Sequence, residues 1–367
     1  MLDYLSEYGH LSFSDAPLND VDLLIFSQLA YMDFEDVRPS PCPFSLALAH
    51  AAFADSPDAS EARFSFQRKD DRRLAQLSAS CPRYAGIRFA DFRRELNPEA
   101  ESQFAVLSLL IGEGRLLVSF RGTDNTLAGW KEDFNMAFMD EIPAQRMALA
   151  YIEEIAPAAD RVILTGHSKG GNLALYAAAA CPSALQEKID LAVSFDGPGL
   201  NERLVASAGF RRMEDRMRVV MPCSSLVGLL FEQPKDVRLV DSRIFSILQH
   251  YPYFWKTEKM DFIYLSRPSA SGALLGGTLR GLLERLDMET REQLVEAVYE
   301  IISSTEADTF NDLASRWLQS AAAIATRLSQ ADAETRRLFL RVISAFLSSA
   351  ADALSALRSG NGGSASR

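Results

Sequence analysis

The strongest structural signal in the sequence is the segment Arg161-Val-Ile-Leu-Thr-Gly-His-Ser-Lys-Gly-Gly-Asn-Leu-Ala-Leu-Tyr176. Its apolar run over residues 162–164 is long enough for one buried strand of a parallel sheet. Residues 166–170 then match the pattern G-x-S-x-G, and residues 172–180 favour a helix. Strand, tight turn and helix in this order are the context of a nucleophile elbow, which lifts a serine out of the sheet.

The glycines of this motif have a physical role, and Ser168 is the candidate nucleophile. A tight turn strains the serine backbone, and a side chain at position 166 or 170 would crowd the adjacent strand and helix. The turn also places the backbone N–H of Lys169 at the start of a helix, where it can donate to a developing oxyanion. The alternative is a glycine-rich turn that exposes an ordinary surface serine.

Composition and charge limit the classes of protein to which the chain can belong. Its 367 residues suffice for one large domain with an appended subdomain, or for two domains. A hydrophobic content of 48% and a charged content of 24% are ordinary for a soluble globular protein. The formal net charge of -11 argues against binding to nucleic acid and against attraction to an anionic membrane.

The sequence contains no targeting or metal-binding motif. No basic segment followed by an apolar one opens the chain, so a secretory signal is not expected. No apolar run reaches the roughly 18 residues that a membrane-spanning helix needs. The four cysteines are Cys42, Cys81, Cys181 and Cys223. They are far apart in the sequence and lack C-x-x-C spacing, which indicates free thiols in a reducing compartment. We therefore expect a cytoplasmic protein with no transmembrane segment, no cofactor and no metal site.

Alternation of strands and helices predicts a mainly parallel α/β core over residues 101–266. Apolar runs over residues 103–111 and 115–120 flank Gly112-Glu-Gly114, which is typical of a hairpin. Later strands are predicted at residues 162–164, 190–195, 217–221 and 237–241.

The chain on either side of this core is predicted to be helical. Residues 1–100 are expected to form an N-terminal helical segment that packs on the core, with Asp20 as the N-cap of a helix over residues 21–32. Residues 267–357 are predicted to form an all-helical C-terminal extension, whose apolar spacing favours packing against the core. Residues 358–367 are predicted to be a flexible tail.

His250 is the candidate general base. A serine hydroxyl needs a base that removes its proton, and the chain has four histidines. His167 adjoins the serine but points the wrong way, while His10 and His50 precede the predicted sheet. His250 alone follows the last predicted strand, where the order serine, acid, histidine places the base. The alternative is a polar loop histidine beside Tyr251-Pro-Tyr-Phe-Trp255.

The sequence leaves open which carboxylate orients the histidine. Asp196 follows the strand after the elbow unit, at the sheet edge where the active sites of α/β proteins gather. It can instead belong to a turn over Asp196-Gly-Pro-Gly199, in which its side chain binds local N–H groups. The alternative acids lie later in the chain: Glu232, Asp236 and Asp241.

Thr123 is the candidate second oxyanion donor. In the segment Val118-Ser-Phe-Arg-Gly-Thr-Asp-Asn-Thr126, an apolar strand and a glycine turn precede a residue that offers a backbone N–H and a hydroxyl. Removal of one such donor costs on the order of a hundred- to a thousandfold in rate. The alternative is an ordinary strand exit in which Arg121 forms a structural salt bridge.

Several of these motifs together resemble the class 3 lipase branch of the α/β-hydrolases: Phe120-Arg-Gly-Thr123, Trp130, Asp133 and Gly166-His-Ser-Lys-Gly170. The chain is also similar to a bacterial family of uncharacterised proteins with a class 3 lipase-like core. The similar stretches span most of the chain, from Asn19-Asp-Val-Asp-Leu-Leu-Ile-Phe-Ser-Gln-Leu-Ala-Tyr31 through Ser225-Leu-Val-Gly228 to Gln249-His250 with Trp255.

The resemblance implies an α/β-hydrolase fold with Ser168 as nucleophile, His250 as base, and Thr123 with Lys169 as oxyanion donors. It also implies that Trp130 lies near a lid segment over the acyl site. The resemblance does not identify the acid of the triad. Class 3 lipases carry their triad aspartate at about the position at which this chain has Ser225. Some other lipases use a carboxylate after the preceding strand, and that residue is Asp196 here.

These features predict a serine hydrolase that cleaves a small-molecule acyl ester or thioester through an acyl-serine intermediate. The same residues can also serve an acyltransferase, which passes the acyl group to an acceptor other than water. A third hypothesis is a non-catalytic protein of this fold that binds an acyl ligand or a protein partner.

Overall fold

One mixed β-sheet connects most of the chain that the structure describes. The computed structural model describes residues 1–37, 41–53, 65–97, 102–112, 114–123, 127–225, 227–244 and 246–269, and eight separate residues: 289, 291, 292, 295, 296, 333, 336 and 337. The strands of this part are β1 (Cys42–Pro43), β2 (Arg88–Asn97), β3 (Ser102–Leu110), β4 (Arg115–Phe120), β5 (Arg161–His167), β6 (Ile189–Phe195), β7 (Met217–Pro222), β8 (Val237–Val240), β9 (Thr257–Glu258), β10 (Asp261–Phe262) and β11 (Tyr264–Leu265).

The sheet is parallel in its centre and antiparallel at both sides. Within the described residues, nine strands pair in the order β1-β2-β3-β4-β5-β6-β7-β8-β11. Strands β4 to β8 run parallel, so their carboxyl ends share one edge. Strands β1 to β4 pair antiparallel, as do β8 and β11. The sheet is thus mixed rather than mainly parallel, because the short connections between β2, β3 and β4 reverse the chain direction at each step.

The predicted hairpin is confirmed by the pairing of β3 with β4. Gly112 and Gly114 in its turn have φ angles of 145° and 65°, a backbone region that glycine adopts without steric cost. The hairpin delivers β4 to the side of β5, with Phe120 opposite Gly166. The end of β4 therefore adjoins the turn that follows β5.

Helices cover both faces of the sheet. In chain order they are α1 (Leu2–Tyr8), α2 (Asp20–Leu29), α3 (Phe44–Phe53), α4 (Ser65–Ala79), α5 (Leu127–Asn135), α6 (Pro143–Ile155), α7 (Lys169–Ala180), α8 (Ser183–Gln186), α9 (Glu202–Val205) and α10 (Ala208–Met213). Because side chains alternate along a strand, Leu117 and Ile163 pack with α1 to α4, whereas Val118 and Leu164 pack with α6, α7 and α10. Both faces are therefore buried, as parallel strands require.

The N-terminal part contains a strand that the sequence did not indicate. Strand β2 pairs with β3 along its length, so the sheet begins before residue 101, where we expected the core to start. Half of the residues of β2 are charged, and the strand is mostly half-buried or exposed, since within the described residues its neighbour on the side away from β3 is the two-residue β1. A strand of this kind has no apolar run in its sequence.

The cap of α2 also differs from the prediction. Asn19, not Asp20, is the N-cap, because its backbone is extended and its side chain accepts hydrogen bonds from the N–H groups of Val21 and Asp22. Asp22 accepts in return from the Asn19 N–H at 3.1 Å, which completes a capping box. Asp20 instead binds Arg218 at 2.7 Å and ties α2 to β7.

The predicted C-terminal helical extension, residues 267–357, and the tail, residues 358–367, lie outside the described residues apart from residues 267–269 and the eight separate positions. Two of those positions contact the segment around α5. Glu296 binds Lys131 at 3.1 Å, and Arg291 donates to the Ala137 carbonyl oxygen at 3.1 Å. The described helices include none with the length and apolar character needed to cross a bilayer.

Candidate active site

Ser168 occupies a strained turn between β5 and α7. Its φ and ψ angles are 58° and -132°, which is costly for a residue with a Cβ. The turn is tight because Gly166 and Gly170 meet: a Cβ at 166 would overlap the Gly170 backbone, and one at 170 would overlap the Phe120 carbonyl. The local geometry is thus that of the predicted elbow, with Ser168 at the carboxyl edge of the parallel strands.

A chain of two hydrogen bonds joins Ser168 to a buried carboxylate. His250 Nε2 lies 3.0 Å from Ser168 Oγ, and His250 Nδ1 lies 2.7 Å from Asp196 Oδ2. Because a carboxylate only accepts hydrogen bonds, Nδ1 carries the hydrogen and Nε2 turns its lone pair toward the serine. The Asp196 side chain is 1% exposed and that of His250 28% exposed, so solvent reaches the histidine but not the acid.

Asp196 reaches this position through an unusual backbone. It follows β6 directly with a φ angle of 50°, and its N–H donates to the Val220 carbonyl oxygen of β7 at 2.9 Å. A Cβ at Gly197 would lie 2.6 Å from the Ser168 carbonyl oxygen, so glycine allows this turn to approach the elbow. The register of β5, β6 and β7 therefore brings the aspartate beside the serine.

Within the described residues, the hydrogen bonds and ion pairs of the other candidate acids do not include one to His250. Glu232 exchanges backbone hydrogen bonds of 2.8 and 3.1 Å with Leu200 in an isolated bridge. The remaining two bind basic side chains: Asp236 pairs with Arg218 at 2.9 Å and Arg238 at 3.0 Å, and Asp241 pairs with Lys256 at 2.7 Å. The carboxylate that the structure brings to His250 is that of Asp196.

His167 and Trp255 hold the backbone around His250. His167 Nε2 donates to the His250 carbonyl oxygen at 2.9 Å, and Trp255 Nε1 donates to the Gln249 carbonyl oxygen at 2.7 Å. His167 is buried, and its Nδ1 lies 3.4 Å from the Tyr31 hydroxyl. Sequence reasoning set His167 aside as a base and missed this contact, because the partner is a backbone group 83 positions away.

Thr123 lies in the loop that packs against the elbow. A Cβ at Gly122 would lie 3.0 Å from the Ser168 Cβ and 2.5 Å from the His167 carbonyl oxygen, so this loop and the elbow touch. The Thr123 hydroxyl donates to Asp133 Oδ2 at 2.6 Å. Its single hydrogen is therefore committed to Asp133, and the backbone N–H is the Thr123 donor that can face an oxyanion.

Asp133 is a buried carboxylate with one unsatisfied oxygen. Its residue is partly exposed, but among the described atoms Oδ1 has almost no accessible surface and no hydrogen-bond partner. Burial raises the pKa of Asp133 to about 6, against the opposing effects of Lys169 and of the hydrogen bond from Thr123. This group changes charge close to neutral pH, next to the loop that carries Thr123.

The side chain of Lys169 forms a buried ion pair. Lys169 Nζ lies 2.6 Å from Glu132 Oε2 and donates to the Gln103 carbonyl oxygen at 2.9 Å. Glu132 also accepts from the N–H groups of Gln103 and Ala144, at 3.1 and 2.9 Å. The pair therefore joins α5 to the elbow helix, to β3 and to the start of α6. Trp130, which the resemblance places near a lid, belongs to α5, and its side chain lies outside the described residues.

Lys169 is also the first residue of α7, so its backbone N–H has no acceptor within the helix. Ser225 is a further polar residue at the site, because its hydroxyl binds Asp196 Oδ1. Within the part of the chain that the structure describes, no group of three or more His, Cys, Asp or Glu side chains is arranged to hold a metal ion.

Comparisons with known proteins relate the chain to one family. The model of the family described as Mbeg1-like matches residues 78–300. No curated protein matches the chain in sequence. Among solved structures, the chain is similar to one described as the crystal structure of M37 lipase, with 13% sequence identity and a TM-score of 0.37; the match covers 75% of this chain and 80% of that one.

Proposed function

This chain belongs to the Mbeg1-like family, and on that premise we propose that it is a serine hydrolase of the lipase and esterase type, which cleaves a small-molecule carboxylic ester or thioester. The observation that carries the proposal is the chain of hydrogen bonds from Ser168 through His250 to Asp196, with distances of 3.0 and 2.7 Å. Nucleophile, base and orienting acid in this order activate a serine for acyl transfer.

In the proposed acylation step, Ser168 Oγ attacks the carbonyl carbon of the ester while His250 Nε2 takes its proton. Asp196 stays ionised and stabilises the imidazolium that forms, because its carboxylate accepts the Nδ1 hydrogen. Nε2 then gives the proton to the leaving alcohol or thiol, and an acyl-serine remains. In deacylation a water attacks the acyl group while His250 Nε2 takes its proton, the bond from the acyl carbon to Ser168 Oγ breaks, and Nε2 returns the proton to Oγ as the carboxylic acid leaves.

Two backbone N–H groups are proposed as donors to the tetrahedral oxyanion. The Lys169 N–H stands at the start of α7, where the helix dipole favours negative charge. The Thr123 N–H belongs to the loop that touches the elbow through Gly122. Asp133 positions this loop by accepting from the Thr123 hydroxyl at 2.6 Å, and it does not contact the reacting atoms in this proposal.

The cysteines support a reducing location such as the cytoplasm. All four lie among the described residues and are free thiols; Cys42, Cys81 and Cys181 are buried, while Cys223 is partly exposed. Burial raises the pKa of Cys181 to about 11, so this thiol stays protonated at neutral pH.

Labelling with an alkyl fluorophosphonate tests the proposed nucleophile. We expect the wild-type protein to be labelled, Ser168→Ala to lose all labelling, and His250→Ala to be labelled far more slowly. Ser6→Ala is the matched control, because Ser6 is exposed on α1 and should leave labelling unchanged. Labelling together with hydrolysis of short p-nitrophenyl esters supports a hydrolase. Labelling without hydrolysis favours an acyltransferase, and neither activity in the folded wild type contradicts the proposal and favours a non-catalytic binding protein.

A further inference from the structure

We propose that Ser225 is a positioning residue for the acid, and that its hydroxyl fixes the Asp196 carboxylate so that it can support His250. This inference rests on the proposed function, and it assigns a role to the Ser225-Leu-Val-Gly228 stretch. Ser225 acts on the reaction only through Asp196.

The two oxygens of the Asp196 carboxylate have separate partners. Oδ2 lies 2.7 Å from His250 Nδ1, and Oδ1 accepts a hydrogen bond from the Ser225 hydroxyl. Both Asp196 and Ser225 are buried, at 0% and 4% exposure, so water does not compete for either oxygen. A carboxylate held at both oxygens cannot rotate about its terminal bond, which keeps Oδ2 in line with the imidazole.

Gly228 sets the direction in which Ser225 donates. The Gly228 N–H donates to Ser225 Oγ at 2.7 Å, so the oxygen of this hydroxyl is used as an acceptor. A serine hydroxyl has one hydrogen, and it is therefore available for Asp196. A Cβ at Gly228 would lie 2.8 Å from both Asp196 Oδ1 and Ser225 Oγ, so a side chain there would disturb both hydrogen bonds.

The proposed contribution is electrostatic as well as geometric. During acylation His250 gains a proton, and the imidazolium is stabilised only while Asp196 remains charged and aligned. In a buried site, a hydrogen bond to a charged group contributes more than one between neutral groups. The donor from Ser225 therefore favours the ionised and aligned carboxylate in the transition state, and no proton needs to leave Ser225.

Substitution of Ser225 separates this role from that of an ordinary turn residue. The main variant is Ser225→Ala, and Ser225→Thr restores the hydroxyl. The matched control is Ser224→Ala, because the hydrogen bond of the Ser224 hydroxyl is to the hydroxyl of Ser269, 2.5 Å away. With a soluble p-nitrophenyl ester, we expect Ser225→Ala to lower kcat by roughly ten- to a hundredfold at unchanged KM. We expect Ser225→Thr to recover most of this loss and Ser224→Ala to show none.

A spectroscopic measurement keeps the test independent of turnover. We expect the hydrogen between His250 Nδ1 and Asp196 to give a low-field proton resonance in NMR, Ser225→Ala to shift this resonance, and Ser224→Ala to leave it in place. Should the alanine variant fold poorly, Ser225→Cys replaces the hydroxyl by a weaker donor of similar size and is expected to give the same shift. An unchanged kcat together with an unchanged resonance overturns the role of Ser225. If the wild type hydrolyses no ester, the proposed function fails, while the resonance still decides whether Ser225 acts on Asp196.

Discussion

His167 donates its Nε2 hydrogen to the carbonyl oxygen of His250 at 2.9 Å, and the centroids of the two imidazole rings lie 4.7 Å apart. The residue before the candidate nucleophile therefore binds the backbone of the candidate base. Because a carbonyl oxygen only accepts hydrogen bonds, Nε2 of His167 must carry a hydrogen for this contact. The contact ties the loop after β8 to the end of β5, next to Ser168.

Replacement of His167 by Phe is expected to lower kcat about tenfold. The variant keeps an aromatic ring against His250 but removes the donor, so the loop can shift and lengthen the Ser168–His250 hydrogen bond. Steady-state hydrolysis of a p-nitrophenyl ester measures the effect. His50→Phe is the control, because His50 is exposed on α3. A wild-type kcat in His167→Phe would show that the loop is held without this hydrogen bond.

The identity of the acid is tested by a matched pair of amide substitutions. We expect Asp196→Asn to reduce kcat by on the order of 10⁴-fold, since the loss of the carboxylate favours the wrong tautomer of His250. Glu232→Gln should stay close to the wild type, because the carboxylate that lies 2.7 Å from His250 Nδ1 is that of Asp196. Near-wild-type rates in both variants would show that Asp196 does not act as the acid. A loss of rate confined to Glu232→Gln would show that Glu232 is the acid.

Asp133 is expected to make the protein less stable as the pH rises toward 6. Burial raises the pKa of this carboxyl from its ordinary value of 3.8 to about 6. The folded state therefore binds the proton more tightly than the unfolded chain does. The resulting stability is fully present below about pH 4 and is lost as the pH rises through about 6.

Asp133→Asn removes this titration and keeps an acceptor for the Thr123 hydroxyl. Urea unfolding at about pH 4 and pH 7 measures the free energies of both proteins. We expect the variant to gain stability relative to the wild type at the higher pH, by at most about 3 kcal/mol for a shift of this size. An identical difference at both pH values would mean that Asp133 does not titrate in this range.

The buried ion pair of Glu132 with Lys169 is expected to contribute more to the stability of the protein than an exposed ion pair does, because it holds α5 against the elbow. Glu132→Gln leaves the Lys169 ammonium buried without a counter-charge, which should cost about 3–5 kcal/mol of unfolding free energy. Addition of Lys169→Met to this variant should recover part of the loss, because it removes the unpaired charge.

Urea unfolding of the two variants tests this interpretation of the pair. Asp140→Asn makes the same carboxylate-to-amide change in an exposed ion pair with Arg203, and it should cost less than about 1 kcal/mol. Equal losses in Glu132→Gln and Asp140→Asn would contradict a buried role for Glu132.

The sequence predicted the features that depend on contiguous residues. The elbow at Ser168 follows from one strand, two glycines and one helix within residues 161–180, and each of these has its own local signal. The hairpin of β3 and β4 likewise follows from two apolar runs and a glycine turn. The charged strand β2 escaped prediction, because only its pairing with β3 makes it a strand.

By itself, the sequence determined that a serine stands on a tight turn after a buried strand, and it restricted the candidate base to His250 by elimination. Only the tertiary structure decided which carboxylate meets that histidine, because the register of β5, β6 and β7 brings Asp196 to it, whereas Asp236 pairs with Arg218 and Arg238. The tertiary structure also decided the contact of His167 with the His250 carbonyl oxygen and that of Ser225 with Asp196. A hydrogen bond needs its two atoms about 3 Å apart, and for partners far apart in the chain that distance is set by the packing of the whole sheet.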